Sequence, residues 1–155
     1  MFSLSPLAAA LFRAPADGHP PHPRHGPSRQ CIESALAELR FSGRRAVRIL
    51  DLGCGAGDRL LHAAAFARSL GFVAIEARGT DLSALRIRQA RAHAREAKHP
   101  STSIRFDLAE PIAALAAEHD GDADLILLSQ PLPYRASPLA LALDRVAAGP
   151  VLTAR

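Results

Sequence analysis

Ala46-Val47-Arg48-Ile49-Leu50-Asp51-Leu52-Gly53-Cys54-Gly55-Ala56-Gly57 sets the reading of the whole chain. Residues 46–50 are few, mostly apolar and partly β-branched, and they lead into an acid followed by glycines at every second position. That pattern predicts a buried strand feeding a tight turn. Beyond the turn, Leu60, Leu61, Ala64, Ala65 and residues 67–70 predict a helix, stopped by Gly71 in the usual C-terminal place. A glycine-rich turn between a strand and a helix lets backbone amides approach a ligand closely and sets that ligand at a helix N-terminus.

Outward from this unit the same alternation recurs. Upstream, Ser28 is a plausible N-cap, because Ile32, Ala35, Leu36 and Leu39 follow at helical spacing up to Gly43. Downstream, a second strand runs from Phe72 to about Ala77, with Gly79-Thr80 leading into Asp81. Ser83 to Lys98 is an alanine- and arginine-rich helix ended by His99-Pro100. Ser103 to Phe106 is a third strand delivering Asp107. Pro111 to His119 is a helix that begins on proline, and Gly121-Asp122 turns the chain into the strand Asp124 to Leu128. A helix over Pro138 to Ala147, a Gly149-Pro150 break and a fifth strand, Val151 to Thr153, close the series. Parallel strands need crossover connections, and the helices supply them. The expected class is therefore α/β: a doubly wound, mostly parallel sheet of about five strands with helices on both faces. Ligands of such sheets sit beyond the carboxyl ends of the strands, where Gly53, Asp81, Asp107 and Ser129 all fall.

The glycine spacing separates two ligand classes. A dinucleotide fingerprint starting at Gly53 needs glycine at position 58, but this chain has Asp58, and its third glycine comes one residue early at Gly57. Asp58 also places negative charge where a pyrophosphate would rest on the helix dipole. At Asp51-x-Gly53-x-Gly55-x-Gly57 and at Gly79-Thr80-Asp81-Leu82-Ser83, the sequence instead resembles the class I S-adenosylmethionine-dependent methyltransferases, a Rossmann-like family.

The resemblance implies S-adenosyl-L-methionine as cofactor, with Asp81 holding both ribose hydroxyls, a task that suits an acceptor-only carboxylate. It implies a polar contact from Asp107 to the adenine amino group and an amide contact from Leu108 to the ring. It also implies that Asp51 and the loop backbone of Gly53, Cys54, Gly55 and Gly57 lie near the methionine moiety, with Leu82 and Ser129 completing the lining. Asp81 alone could instead cap the helix it precedes. Cys54 reads as a small buried residue rather than a nucleophile, because no histidine or lysine adjoins it.

The resemblance extends over roughly Ile49 to Thr153, whereas family members usually complete a seven-stranded sheet. The expected domain, residues 29–155, is therefore C-terminally incomplete, with an exposed sheet edge through which it forms homo- or hetero-oligomers. The acceptor would be met by Ser129-Gln130-Pro131-Leu132-Pro133-Tyr134, in which Gln130 and Tyr134 are the candidate acceptor-side residues. That run is only distantly similar to the Asn/Asp-Pro-Pro-Tyr/Phe motif of methyltransferases acting on planar amino groups.

A small-molecule acceptor is the default expectation. One alternative is a catalytically silent binding module completed by a partner subunit. A second is a nucleic-acid methyltransferase, because Arg88, Arg91, Arg95 and Lys98 share a helix face that could follow phosphates, although no aromatic residues interleave with them.

Composition bounds these readings. At 155 residues, 48% hydrophobic and 22% charged, the chain has material for one core. Its 19 basic against 15 acidic residues favour anionic partners. The two cysteines, Cys31 and Cys54, form neither a disulfide framework nor a metal motif, which fits a cytoplasmic location. No apolar run approaches the roughly 18 residues of a membrane helix, so no membrane partner is expected. Residues 1–28 hold six of the twelve prolines and read as a disordered tail. Its His19, His22 and His25 read as solvated side chains rather than metal ligands.

Overall fold

The structure is a computed structural model and describes residues 26–153. The predicted tail up to residue 25, with its three histidines, lies outside the described residues. The elements run α1 (Arg29–Phe41), β1 (Ala46–Leu52), α2 (Asp58–Ser69), β2 (Ala74–Asp81), α3 (Ala84–Glu96), β3 (Thr102–Leu108), α4 (Pro111–Ala116), β4 (Leu125–Leu128), α5 (Pro138–Val146) and β5 (Val151–Thr153). The sheet order is β3-β2-β1-β4-β5, and every pairing is parallel. The chain winds outward from β1 to β3, then returns to the other side of β1 for β4 and β5. The fold is thus α/β and doubly wound, and its switch point falls between β1 and β4.

Strand alternation sorts the side chains into two cores. Val47, Ile49, Ile75, Ala77, Leu125 and Leu127 face α1, α2 and α3. Leu50, Leu52, Ile126 and Leu128 face α4 and α5. Because both faces of β4 are covered, all four of its residues are buried, which is why it reads in sequence as an unbroken apolar run. On the first face α2 buries Leu60 together with Ala63, Ala64 and Ala67, and the three alanines let the helix lie close to the sheet. At the start of α1, the Ser28 hydroxyl accepts from the Cys31 amide at 3.2 Å and satisfies one of the free donors of the first turn.

Three strands are longer than their sequence pattern predicts, β1 running on through Asp51 to Leu52. β2 begins at Ala74 and continues to Asp81, through Gly79-Thr80, and β3 continues to Leu108. Gly79 is a strand residue because Phe106 lies against it: a Cβ there would stand 2.6 Å from the phenyl ring. The glycine marks a close approach within the sheet and not a turn.

α4 also ends early, at Ala116, and Glu118 turns inward beyond it. The Glu118 side chain, 2% exposed, accepts from the guanidiniums of both Arg48 and Arg78. Arg48 also donates to Asp122 at 3.0 Å, and Arg78 Nε donates to Asp107 at 2.8 Å. Between β1, β2 and α4 the second face is therefore packed with paired charges instead of aliphatic side chains. Burial on its own would lower the Arg78 pKa, but its hydrogen bonds to Glu118 and Asp107 outweigh that and hold the guanidinium protonated.

Removing one member of a buried ion group leaves the others uncompensated. Glu118→Ala should destabilise the domain by about 3 kcal/mol, read as a lower denaturant midpoint in urea unfolding. An unchanged midpoint would show that solvent satisfies Arg48 and Arg78.

Candidate functional site

The glycine loop crosses the carboxyl end of the sheet and is tied to both neighbouring strands. The amides of Gly53 and Cys54 both donate to the Thr80 carbonyl, at 2.8 and 2.9 Å, and the Ser129 amide donates to Leu52 at 3.0 Å. Gly57, at φ +89°, is the N-cap of α2, a left-handed conformation that L side chains rarely adopt. It also rests on β3, since a Cβ at Gly57 would stand 2.7 Å from Phe106 Cζ. Gly53 backs onto Ser129, whose hydroxyl would stand 1.9 Å from a Cβ at position 53. Gly55 differs from both. At φ +59° a Cβ there would meet no atom within 4 Å, so the loop presents its backbone to open space at this point.

Asp81 stands beside that opening. One carboxylate oxygen accepts from the Gly55 amide at 2.9 Å and the other from the Ser83 amide at 2.8 Å. A carboxylate has roughly four lone-pair sites, so these two bonds fix its orientation and leave about two sites for another donor pair. Asp81 does not cap α3. Ser83 does, its hydroxyl accepting from the Arg86 amide at 3.4 Å. In register beside Asp81 lies Leu108, and the side chains of Leu82 and Leu108 are 68% and 56% exposed. Two exposed apolar residues thus neighbour an oriented carboxylate, one next to it in the chain and one across the strand pair.

Other residues singled out from the sequence are placed differently. Asp51 is 0% exposed and is held by the Arg59 guanidinium from the first turn of α2. Arg59 Nε donates to Asp51 at 3.3 Å, and Nη2 donates to the Gly53 carbonyl at 3.3 Å. Burial raises the Asp51 pKa, against the lowering effect of Arg59.

Cys54 is buried as well, with its thiol directed at the Gly55 carbonyl. Burial, together with the nearby charges of Asp51 and Asp81, pushes the thiol up to about 12, so it packs and does not act as a nucleophile. Asp107 is engaged through Oδ2 by Arg78 Nε at 2.8 Å and by Arg105 Nε at 3.2 Å. Gln130, Leu132 and Tyr134 lie exposed in the segment after β4, Tyr134 at 91%.

Sequence reasoning missed Arg59 and Phe106. A signal for Arg59 existed, because a cation in the first turn of a helix opposes the macrodipole and calls for a compensating anion. Nothing in a short third strand singles out Phe106 before the sheet register is known.

A methyltransferase-domain family model matches residues 49–148, more than half of the chain. The chain belongs to this family. The matched span runs from β1 past α5 and contains the glycine loop, Asp81 and the segment after β4. No curated protein sequence matches the chain. Among solved structures, a Corynebacterium glutamicum protein is 19% identical with a TM-score of 0.54, over 81% of this chain and 57% of that one. A candidate S-adenosylmethionine-dependent methyltransferase from Methanococcus maripaludis is 19% identical with a TM-score of 0.50, over 76% of this chain and 52% of that one. Both share the fold. The crystal structure of monomeric WbdD is 30% identical over 63% of this chain, with a TM-score of 0.49, and only 21% of its own length is covered. The methyltransferase domain described here thus spans about a fifth to just over half of these proteins.

The Asp51–Arg59 pair carries a pH signature. An aspartate whose folded pKa is raised binds its proton more readily folded than unfolded, so the penalty of its buried charge is relieved as pH falls through the folded pKa. Arg59→Met removes the compensating cation and raises that pKa further. The variant should be destabilised by about 3 kcal/mol at neutral pH, with the deficit shrinking as denaturation is repeated toward the carboxylate range. A deficit independent of pH would show that Arg59 acts by packing alone.

Proposed function

We propose that this domain binds S-adenosyl-L-methionine at the carboxyl end of its sheet and transfers the methyl group to a small-molecule acceptor. The observation that carries the reading is the Asp81 carboxylate, oriented by two backbone amides and left with acceptor sites beside a loop that is open at Gly55. A vicinal diol offers two donors to such a carboxylate. The exposed apolar side chains of Leu82 and Leu108 suit the faces of a planar heterocycle beside it. The backbone of Gly53, Gly55 and Gly57, with Ser129, would hold the remainder of the cofactor close to the N-terminus of α2.

When bound, S-adenosylmethionine supplies a methyl group already activated on a sulfonium, so the protein has to align an acceptor and exclude water. That requirement calls for no fixed catalytic triad. Gln130 and Tyr134 are the residues proposed to meet the acceptor. Both lie after β4, next to the switch point, and an acceptor would cover the exposed phenol ring. A small acceptor is favoured over nucleic acid because the basic face of α3 carries no aromatic side chain on which bases could stack.

Calorimetric titration with S-adenosylhomocysteine tests the cofactor assignment. Wild type should bind, and Asp81→Ala should weaken binding about tenfold or more, as expected for hydrogen bonds to a charged group. A variant that stays folded and binds as wild type does would remove Asp81 from the site. Absence of binding to wild type would overturn the assignment altogether.

A further inference from the structure

β3 is an outer strand of the sheet among the described residues. Its odd-numbered residues turn their main chain toward β2, as the bonds from Ile75 N to Ser101 O and from Ala109 N to Asp81 O show. Its even-numbered residues therefore face outward. Of these, Thr102 is tied by its amide to His99 and the Phe106 carbonyl accepts from Arg91 Nε at 2.9 Å, whereas β2 leaves the outward donor and acceptor of Ile104 unpaired.

Beside this edge, between α3 and β3, lies a cleft of about 360 Å³. Its floor is Ala94, Ile104 and Phe106, and its rim is Arg91, Arg95 and Lys98. Arg91 and Arg95 sit at helical spacing on one face of α3, and Lys98 follows just beyond the helix, which ends at Glu96 and not at Lys98 as its sequence predicts; all three are exposed, and no ion pair engages them among the described residues. The cleft contains neither the glycine loop nor Asp81.

We propose that β3 and the basic face of α3 form a docking edge for an acidic, extended segment of a partner protein, which adds to the sheet as a further strand outside β3. Main-chain pairing with Ile104 supplies register, alternate side chains drop into the cleft, and carboxylates meet Arg91, Arg95 and Lys98. Charge selects this occupant over the alternatives. Two copies of this domain joined edge to edge through β3 would set the same basic row side by side, with like charges opposed. Residues 1–25 of the chain carry Arg13 and Arg24 and a single acid, Asp17, so they do not complement the rim. A nucleic acid would match the rim alone, since a phosphate backbone has no donors for the outward carbonyl of Ile104 and the one aromatic ring of the floor, Phe106, is buried against Gly57 and Gly79 and leaves no face for a base to stack on.

Fluorescence anisotropy with the full chain and a labelled peptide of alternating Glu and Val tests the proposal. The peptide should bind, its Lys-Val counterpart should not, and N-methylation of alternate amides along one edge, which blocks strand pairing and keeps the charges, should abolish binding. Arg95→Glu combined with Lys98→Glu should weaken binding about tenfold, while Arg86→Glu, on the opposite side of α3, leaves it unchanged. S-adenosylhomocysteine titration of the double variant should match wild type, which separates this edge from the cofactor site. Equal binding of the N-methylated peptide, or wild-type affinity in the double variant, would overturn the proposal. So would tighter binding of a single-stranded oligonucleotide that the same double variant loses.

Discussion

One aromatic ring determines how closely the glycine loop can lie on the sheet. Phe106 is 2% exposed and occupies the space left where Gly57 and Gly79 have no side chain. The loop settles onto β2 and β3 only because both glycines yield to the same phenyl group, and interiors packed at crystal density tolerate little change in such a contact. From that seating follow the two bonds from the loop to Thr80, the reach of the Gly55 amide to Asp81, and the entry of α2 at Asp58. The local conformation of the loop and the long-range register of β3 are thus one structural fact.

Two carboxylates flank this loop and burial assigns them different work. Asp51, at the end of β1, is fully enclosed and needs the Arg59 guanidinium to remain there. Asp81, at the end of β2, is only part-buried, is oriented by amides, and keeps acceptor capacity. The first holds the loop against α2 and the second faces outward. Coulomb attraction maintains the first, and the second depends on backbone hydrogen bonds that demand no counter-ion.

Much of this was legible in the residues. The alternation of short apolar runs with alanine-rich helical segments gave ten elements in the right order, because strand and helix periods are local properties. The glycine spacing and Asp81 marked the open end of the sheet for the same reason. What was hidden depends on contacts between residues distant in sequence. Gly79 falls past the predicted end of its strand until Phe106, 27 residues later, is known to pack against it. Asp51 has no evident counter-ion in the sequence until Arg59 is known to fold back over it. Glu118 looks like the tail of a surface helix, and only the register of β1 beside β2 shows that Arg48 and Arg78 converge on it.

That convergence makes a continuous row of opposite charges across one face of the sheet, from Asp122 through Arg48, Glu118 and Arg78 to Asp107 and Arg105. Its two ends lie at different places: Asp122 in the turn between α4 and β4, Asp107 at the carboxyl end of β3. A molecule that recruited Asp107 would compete with guanidiniums already shared along the row. Taking Asp107 away from Arg78 would leave a largely buried guanidinium one acceptor short, with Glu118 as its remaining carboxylate partner.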